Sequence, residues 1–114
     1  MPVLHIAHRS DWESAVLSGA YETSTRGLSL ADQGFIHASH PHQVSRVAAR
    51  VHSDDPEDLV VLVIDPSAVR ADGVEIREED GGSGELFPHI YGPIRPAWVV
   101  EARPARFEDG DFAW

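Results

Sequence analysis

Apolar and polar residues alternate along several parts of the chain, and this period of two predicts β-strands. The first such segment is Val3–His8, with the sequence VLHIAH. Residues 58–65, DLVVLVID, instead form a continuous and largely β-branched apolar run, which is typical of a strand buried on both faces. Four further strands are predicted in the segments FIHAS, VEIRE, LFPHIYGPI and AWVVEARP.

A helical period predicts two main helices. In the first, Ser10 and Glu13 have the spacing of a capping box, and Gly19 is a typical C-terminal stop. The second begins near Pro41, a residue that suits the first turn of a helix. Its apolar face consists of Val44, Val47, Ala48 and Val51. The segments YETSTRGLSLADQG and PSAVRADG are predicted to be a polar connector and a turn.

The predicted order of elements is β-α-β-α-β-β-β-β, with helices early and strands late. This order favours an α+β fold with a mixed or antiparallel sheet over repeated βαβ units. A length of 114 residues indicates one domain, which we expect at residues 1–104. Residues 105–114, ARFEDGDFAW, are interpreted as an acidic, aromatic C-terminal tail.

Composition excludes several classes of function. The net charge of −10 repels a phosphate backbone, so we expect no nucleic-acid partner. The chain has neither cysteine nor lysine, which excludes disulfides, thiolate chemistry and Schiff bases. No apolar run approaches the ~20 residues that a membrane span needs, and the N-terminus does not resemble a signal peptide. We therefore expect a cytoplasmic protein without a membrane partner.

The segment GFIHASHPHQV contains three of the seven histidines. His37 lies within the predicted strand, where Phe35 shares its face and Ser39 follows two residues later. An imidazole and a hydroxyl there suit ligand binding or acid–base chemistry, or His37 is satisfied by a backbone carbonyl. The alternative is a metal site made by His37, His40, His42 and His89. The spacing His-x2-His-x-His fits no zinc template, and His40 and His42 suit an exposed helix start, so we expect no metal.

Three further polar groups lie in apolar or strand surroundings. His5 interrupts the first strand and faces either solvent or a cleft. His89 and Tyr91 share one face of the strand LFPHIYGPI. The carboxylates Glu78 and Glu79 end a strand just before a glycine-rich loop, where a glutamate can stabilise a developing cation. Each of these signals is weak by itself.

Taken together, four segments closely resemble the small bacterial family called domain of unknown function 952. They are LHIAHRSDWESAVLSGAY, DQGFIHASHPHQV, LVVLVID and EEDGGSGELFPHIYGPI. The match runs from about Val3 to Val100, and its most specific parts are GFIHAS with Gln43 downstream and FPHIYGPI. The resemblance implies a fold similar to that of ADP-ribosyltransferases, a compact split β-sheet around a cleft that holds NAD.

The resemblance also implies roles for residues on three separate strands. His5 would contact the nicotinamide-side ribose, His37 with Ser39 would line the nicotinamide slot, and Glu79 or Glu78 would stabilise the reacting sugar. His89 and Tyr91 would line the same cleft.

The implied activity is NAD-dependent ADP-ribosyl transfer or NAD hydrolysis. The alternative is a module that binds a nucleotide-like molecule without turnover. The candidates for contact with the pyrophosphate are Arg9, Arg26 and Arg77.

Overall fold

The computed structural model describes residues 1–114 as an α+β fold of nine strands and four α-helices. The strands are β1 (Val3–His8), β2 (Thr23–Thr25), β3 (Leu28–Ser29), β4 (Ile36–His37), β5 (Leu59–Ile64), β6 (Ile76–Asp80), β7 (Leu86–Ile90), β8 (Val99–Glu108) and β9 (Asp111–Ala113). The helices are α1 (Arg9–Ser18), α2 (Leu30–Gln33), α3 (Val44–His52) and α4 (Pro66–Ala71).

Every ladder between these strands is antiparallel. One sheet has the order β1-β5-β8-β9, a second has the order β4-β7-β6, and β2 and β3 form a separate pair. A bridge between Leu4 and Ser39 joins the first strand to the segment that follows β4. The strands thus divide into two principal sheets, and of the two expected forms, a mixed or an antiparallel sheet, the structure has the antiparallel one.

The continuous apolar run of β5 is explained by burial on both faces. Val60 and Leu62 belong to a core cluster shared with Tyr21 and Trp98. Leu59 and Val61 belong to a second cluster, on the side covered by α3. Because successive side chains of a strand point to opposite faces, only a strand covered on both sides needs apolar residues at every position.

The three-stranded sheet has one apolar face and one polar face. Ile36 pairs with Ile90, and both are completely buried in the core. On the alternate positions His37 pairs with His89, which in turn pairs with Arg77 of β6. The predicted separation of Phe35 and His37 from Ile36 and Ala38 is therefore confirmed for the strand pair.

Helix α3 packs its apolar face as the sequence indicates, since Val44, Val47 and Ala48 are buried. The predicted start near Pro41 is wrong, because residues 41–43 form a turn and the helix begins at Val44. Gln43 is buried beside this turn, and its side-chain oxygen accepts the backbone N–H of His40 at 3.0 Å. This bond satisfies a donor ahead of the helix.

Local hydrogen bonds account for the other differences at the helix ends. Helix α1 begins two residues earlier than the capping-box spacing predicts, with His8 at its N-cap and no side-chain cap bond. Its end at Gly19 is confirmed, because that residue has a left-handed φ of 91°. The segment PSAVRADG forms α4 instead of a turn, since Asp65 caps it and Pro66 opens it.

Two segments in which the sequence predicts no strand or helix contain regular structure. The polar connector contains β2, β3 and the short α2. A capping box between Ser29 and Asp32 forms the N-terminus of α2. Strand β8 continues through Glu108, and β9 folds back on it with Phe112 opposite Phe107. None of the four helices combines the length and the apolarity that crossing a membrane requires.

Candidate functional site

The polar face of the three-stranded sheet brings together four of the residues singled out from the sequence. His37 lies opposite His89 across the β4–β7 ladder, and Glu79 lies opposite Phe87 across the β6–β7 ladder. Tyr91, which follows β7 by one residue, stands on the same face as His89. Directly paired positions share a face, so the register places all four side chains on one surface.

These side chains form a continuous chain of hydrogen bonds. Oε1 of Glu79 accepts from Nδ1 of His89 at 3.0 Å and also from the hydroxyl of Tyr91. Nε2 of His89 lies 3.4 Å from Nδ1 of His37. Because a carboxylate can only accept, we assign a proton to Nδ1 of His89, and Nε2 of His89 accepts from Nδ1 of His37. The remaining nitrogen of His37, Nε2, is left with a free lone pair.

Two members of the chain have displaced pKa values. Hydrogen bonds from Tyr91 and then from His89 lower the pKa of Glu79, so this carboxylate is ionised at neutral pH. Burial, followed by the neighbouring His89 and Arg50, lowers the pKa of His37 to about 4. At pH 7 the group therefore combines a neutral imidazole with a carboxylate anion.

A cleft of about 200 Å³ opens beside these hydrogen-bonded side chains. One wall carries His37, His89 and Phe35, and the opposite wall is formed by α3. The ring of Phe35 stacks on that of His89 with 4.0 Å between centroids and an angle of 8°. The full lining is Thr25, Gln33, Phe35, His37, Val47, Arg50, Val51, Asp80, Gly81 and His89. The cleft thus has an aromatic side, an imidazole edge and one guanidinium.

Arg50 is distinguished from most other arginines of the chain because it has no carboxylate within salt-bridge distance. Each of the three arginines considered from the sequence already faces a carboxylate. Arg9 faces Asp58, Arg26 binds Asp54, and Arg77 binds Glu75 while lying over the ring of Tyr91. Sequence reasoning missed Arg50, since an arginine on the polar side of an amphipathic helix carries no distinguishing signal.

His5 is buried behind the cleft and does not line it. Its Nδ1 lies 2.7 Å from the carbonyl oxygen of His37, and its Nε2 lies 2.9 Å from the hydroxyl of Tyr21. The carbonyl can only accept, so Nδ1 carries the proton and Nε2 accepts from Tyr21. Burial lowers the pKa of His5 to about 4, which keeps the ring neutral. His5 supports the backbone of His37 from within the core.

Replacing Tyr21 by Phe is expected to lower the free energy of unfolding by about 1–3 kcal/mol, because Nε2 of His5 would be left buried without a donor. Urea denaturation at pH 7 measures this loss. Tyr91→Phe is the matched control, since the hydroxyl of Tyr91 is bonded to a carboxylate that water can reach. Equal losses in the two variants would contradict the role assigned to the His5–Tyr21 bond.

Ser39 is also buried, and its backbone forms both hydrogen bonds of the bridge to Leu4. It borders a void of about 20 Å³ that His5 and His37 also line. A second serine supports His37 more directly. Ser24 accepts the backbone N–H of His37 at 3.2 Å and donates to the side chain of Gln33. Ser24 lies in the polar connector, where nothing in the sequence indicates this contact.

Glu78 and Glu79 are separated by the alternation of β6. Glu78 points away from the histidine pair, and its carboxylate lies 2.6 Å from Nε2 of His40. His40 stacks on His42, with 5.9 Å between the ring centroids. The four histidines considered as a metal site therefore do not converge. The one group of three metal-ligating side chains that does converge is His8, His52 and Asp55.

The fold and this site define a small α+β protein with a histidine-lined cleft between a helix and a three-stranded antiparallel sheet. Residues 6–102 match the family model described as "Protein of unknown function (DUF952)", and the chain therefore belongs to the DUF952 family. Among curated proteins, none matches the sequence.

Solved structures of one protein, CC0527 from Caulobacter crescentus, are similar to the whole chain. The crystal structure of a double mutant of CC0527 is 26% identical with a TM-score of 0.81, and the match covers 99% of this chain and 94% of that one. The solution NMR structure is 28% identical with a TM-score of 0.75, covering 96% and 90% respectively. The similarity therefore extends from β1 to the C-terminal strands.

Proposed function

We propose that the cleft binds NAD or a related nucleotide, and that the chain Glu79–His89–His37 assists cleavage or transfer at the nicotinamide–ribose bond. The observation that carries this proposal is a carboxylate-anchored histidine pair beside an aromatic surface and an unpaired arginine. We also propose that the fold is related to that of ADP-ribosyltransferases.

The cleft walls match the chemical parts of such a ligand. The stacked rings of Phe35 and His89 offer an apolar edge to a flat heterocycle. Arg50 is free to pair with a phosphate by charge-assisted hydrogen bonds. A volume of about 200 Å³ is below the roughly 300–1,000 Å³ of pockets that enclose drug-sized ligands. We therefore infer that the cleft holds one ring with its sugar, while the rest of the nucleotide lies along α3.

The proposed reaction breaks the bond between C1′ of the ribose and the pyridinium nitrogen, whose electron pair leaves with neutral nicotinamide. The oxygen of water, or of an acceptor hydroxyl, adds to C1′ and gives up its proton. Nε2 of His37 takes that proton while Nδ1 of His37 passes its own to His89. The resulting imidazolium of His89 lies against the ionised carboxylate of Glu79, which stabilises it.

One observation favours binding without turnover as the second candidate. The carboxylate of Glu79 does not line the cleft, so its charge acts through the ring of His89 and not directly on a bound sugar. An enzyme that needs a carboxylate against the reacting carbon would have to move β6 or the ligand. A binding module needs no such movement.

A titration with NAD followed by protein NMR tests the binding step. We expect saturable shifts of the ring signals of His37 and His89 and of the backbone around Arg50. Arg50→Gln is expected to weaken binding about tenfold, because one charge-assisted phosphate contact is lost. Arg46→Gln is the matched control on the same helix, where the guanidinium is already paired with Glu85.

The outcomes of the titration separate the two candidates. Saturable shifts together with nicotinamide release, detected by chromatography, support the enzymatic reaction. Saturable shifts without release support the binding module. An absence of shifts at millimolar NAD would overturn the NAD proposal for this cleft.

A further inference from the structure

Two distant parts of the sequence meet at one buried oxygen outside the cleft, with His8 on one side and His52 and Asp55 on the other. Oδ2 of Asp55 lies 2.6 Å from Nε2 of His8 and 2.8 Å from Nδ1 of His52. His8 is the last residue of β1 and His52 is the last residue of α3. The three ligand atoms all lie within 4.8 Å of one another. The group therefore joins the end of β1 in the four-stranded sheet, the end of α3 and the loop that follows α3.

The group is largely shielded from water. The side chains of Asp55 and His52 are 1% and 6% exposed, and that of His8 is 22% exposed. A buried carboxylate with two imidazoles directed at it is a donor set that suits a divalent cation.

Two charged groups border this set. Nε of Arg26 lies 3.5 Å from Oδ2 of Asp55, and the same guanidinium binds Asp54 at 2.7 Å. Asp11 lies on the other side, with its carboxylate 3.7 Å from Nδ1 of His8. A carboxylate behind a histidine ligand favours the proton on the rear nitrogen and leaves the front nitrogen free for a metal. Arg26, in contrast, competes with a cation for the same oxygen.

We propose that His8, His52 and Asp55 form a binding site for a divalent first-row transition ion, with Zn²⁺ as the best fit. Nε2 of His8, Nδ1 of His52 and Oδ2 of Asp55 are the ligand atoms. Two imidazoles and one carboxylate are a recurrent zinc donor set, in which the remaining position is held by water. This site is separate from the proposed nucleotide cleft and does not depend on it.

The distances need only a small adjustment. Tetrahedral ligands at about 2.0–2.1 Å from zinc are roughly 3.3 Å apart. The two nitrogens now lie 2.6 and 2.8 Å from the oxygen, so an outward shift of roughly half an ångström makes room for the ion. The proton on each ligating nitrogen moves to the other ring nitrogen, and for His8 that nitrogen, Nδ1, lies 3.7 Å from the carboxylate of Asp11, whose charge favours a proton there.

A cavity of about 40 Å³ adjoins the group and is lined by His8, His52, Asp11, Arg26 and Thr25, among others. A void needs only about 10–15 Å³ to hold one water molecule. The cavity therefore has room for the water that completes the coordination of the metal. The polar side chains at its border provide hydrogen-bond partners for that water.

Calorimetric titration of tag-free, chelator-treated protein with ZnCl₂ tests the proposal. We expect one ion per chain. His8→Gln and His52→Ala should each weaken binding by more than the roughly 10- to 100-fold that loss of an outer-shell partner costs, since each removes a ligand itself. The double variant His40→Gln/His42→Gln is the control, because it removes a surface histidine pair that lies elsewhere. Arg26→Gln should tighten binding about tenfold by removing the competing cation.

Cobalt provides a readout that needs no variant. CoCl₂ added to the wild-type chain should produce the visible absorption of a four- or five-coordinate ion and shift the ring nitrogens of His8 and His52 in NMR spectra. The proposal is overturned if Zn²⁺ in large excess produces no binding heat, or if cobalt leaves those two rings unchanged. It is equally overturned if the His40/His42 variant loses binding while His8→Gln retains it.

Discussion

Replacing Glu79 by Gln is expected to reduce nicotinamide release from NAD about 100-fold, the lower end of the contribution that general acid–base catalysis makes. The amide oxygen of glutamine can still accept from His89 and Tyr91, so the hydrogen-bonded geometry persists while the charge is lost. Without that charge, the imidazolium that forms on His89 during proton transfer is no longer stabilised. Chromatographic measurement of released nicotinamide, across a range of pH, gives the rate and its pH profile.

Glu78→Gln is the matched control for this experiment. Glu78 is the adjacent residue, carries the same charge and points to the other face of β6, where it pairs with His40. We expect its rate and its binding of NAD to be unchanged. If Glu79 acts through His89, the dependence of the rate on pH in Glu79→Gln should also differ from that of the wild type. Equal rates for the two variants would remove Glu79 from the proposed reaction.

Acidification from pH 7 to pH 4 is expected to remove about 3 kcal/mol of stability through His5 alone. Burial lowers the pKa of His5 from 6.5 to about 4 in the folded chain, whereas the unfolded chain keeps the ordinary value. Between these values the unfolded state binds more protons, so stability falls as the pH drops. The contribution is fully present above pH 6.5 and is lost by about pH 4.

His37 acts in the same direction, since burial lowers its pKa to about 4 as well, but its partial exposure makes its share smaller. Urea denaturation at several pH values between 7 and 4 measures the combined loss. His5→Gln should flatten the dependence, and His42→Gln, which changes an exposed ring, should leave it unaltered. A ring signal of His5 that titrates near pH 6.5 in NMR spectra would disprove the assignment.

The strands are the part of this fold that the sequence predicts best. The apolar run of residues 58–65 predicts a strand buried on both faces, and the two core clusters on either side of β5 (Leu59–Ile64) confirm it. Phe35 and His37 were separated from Ile36 by alternation alone. Such patterns are reliable because the period of a strand is a property of the backbone, and it applies wherever a strand forms.

The sequence predicts the helix ends and the short elements less well. The spacing of Ser10 and Glu13 predicted a capping box that the structure does not contain, and the cap of α4 at Asp65 was missed. These features depend on which residue lies at the end of the helix once the neighbouring strands have formed and packed. A few tenths to about 2 kcal/mol separates a good cap from a poor one, which tertiary packing easily outweighs.

The sequence by itself determined that this chain forms a strand-rich α+β domain of the DUF952 family and that His37 and His89 lie in apolar strands. Only the tertiary structure decided which carboxylate stands beside those rings, because the choice between Glu78 and Glu79 depends on the register of β6 against β7. The same holds for the meeting of His8 with His52 and Asp55. His8 lies more than 40 positions from both His52 and Asp55, and no local pattern encodes its contact with them, since packing of α3 against the four-stranded sheet brings them together.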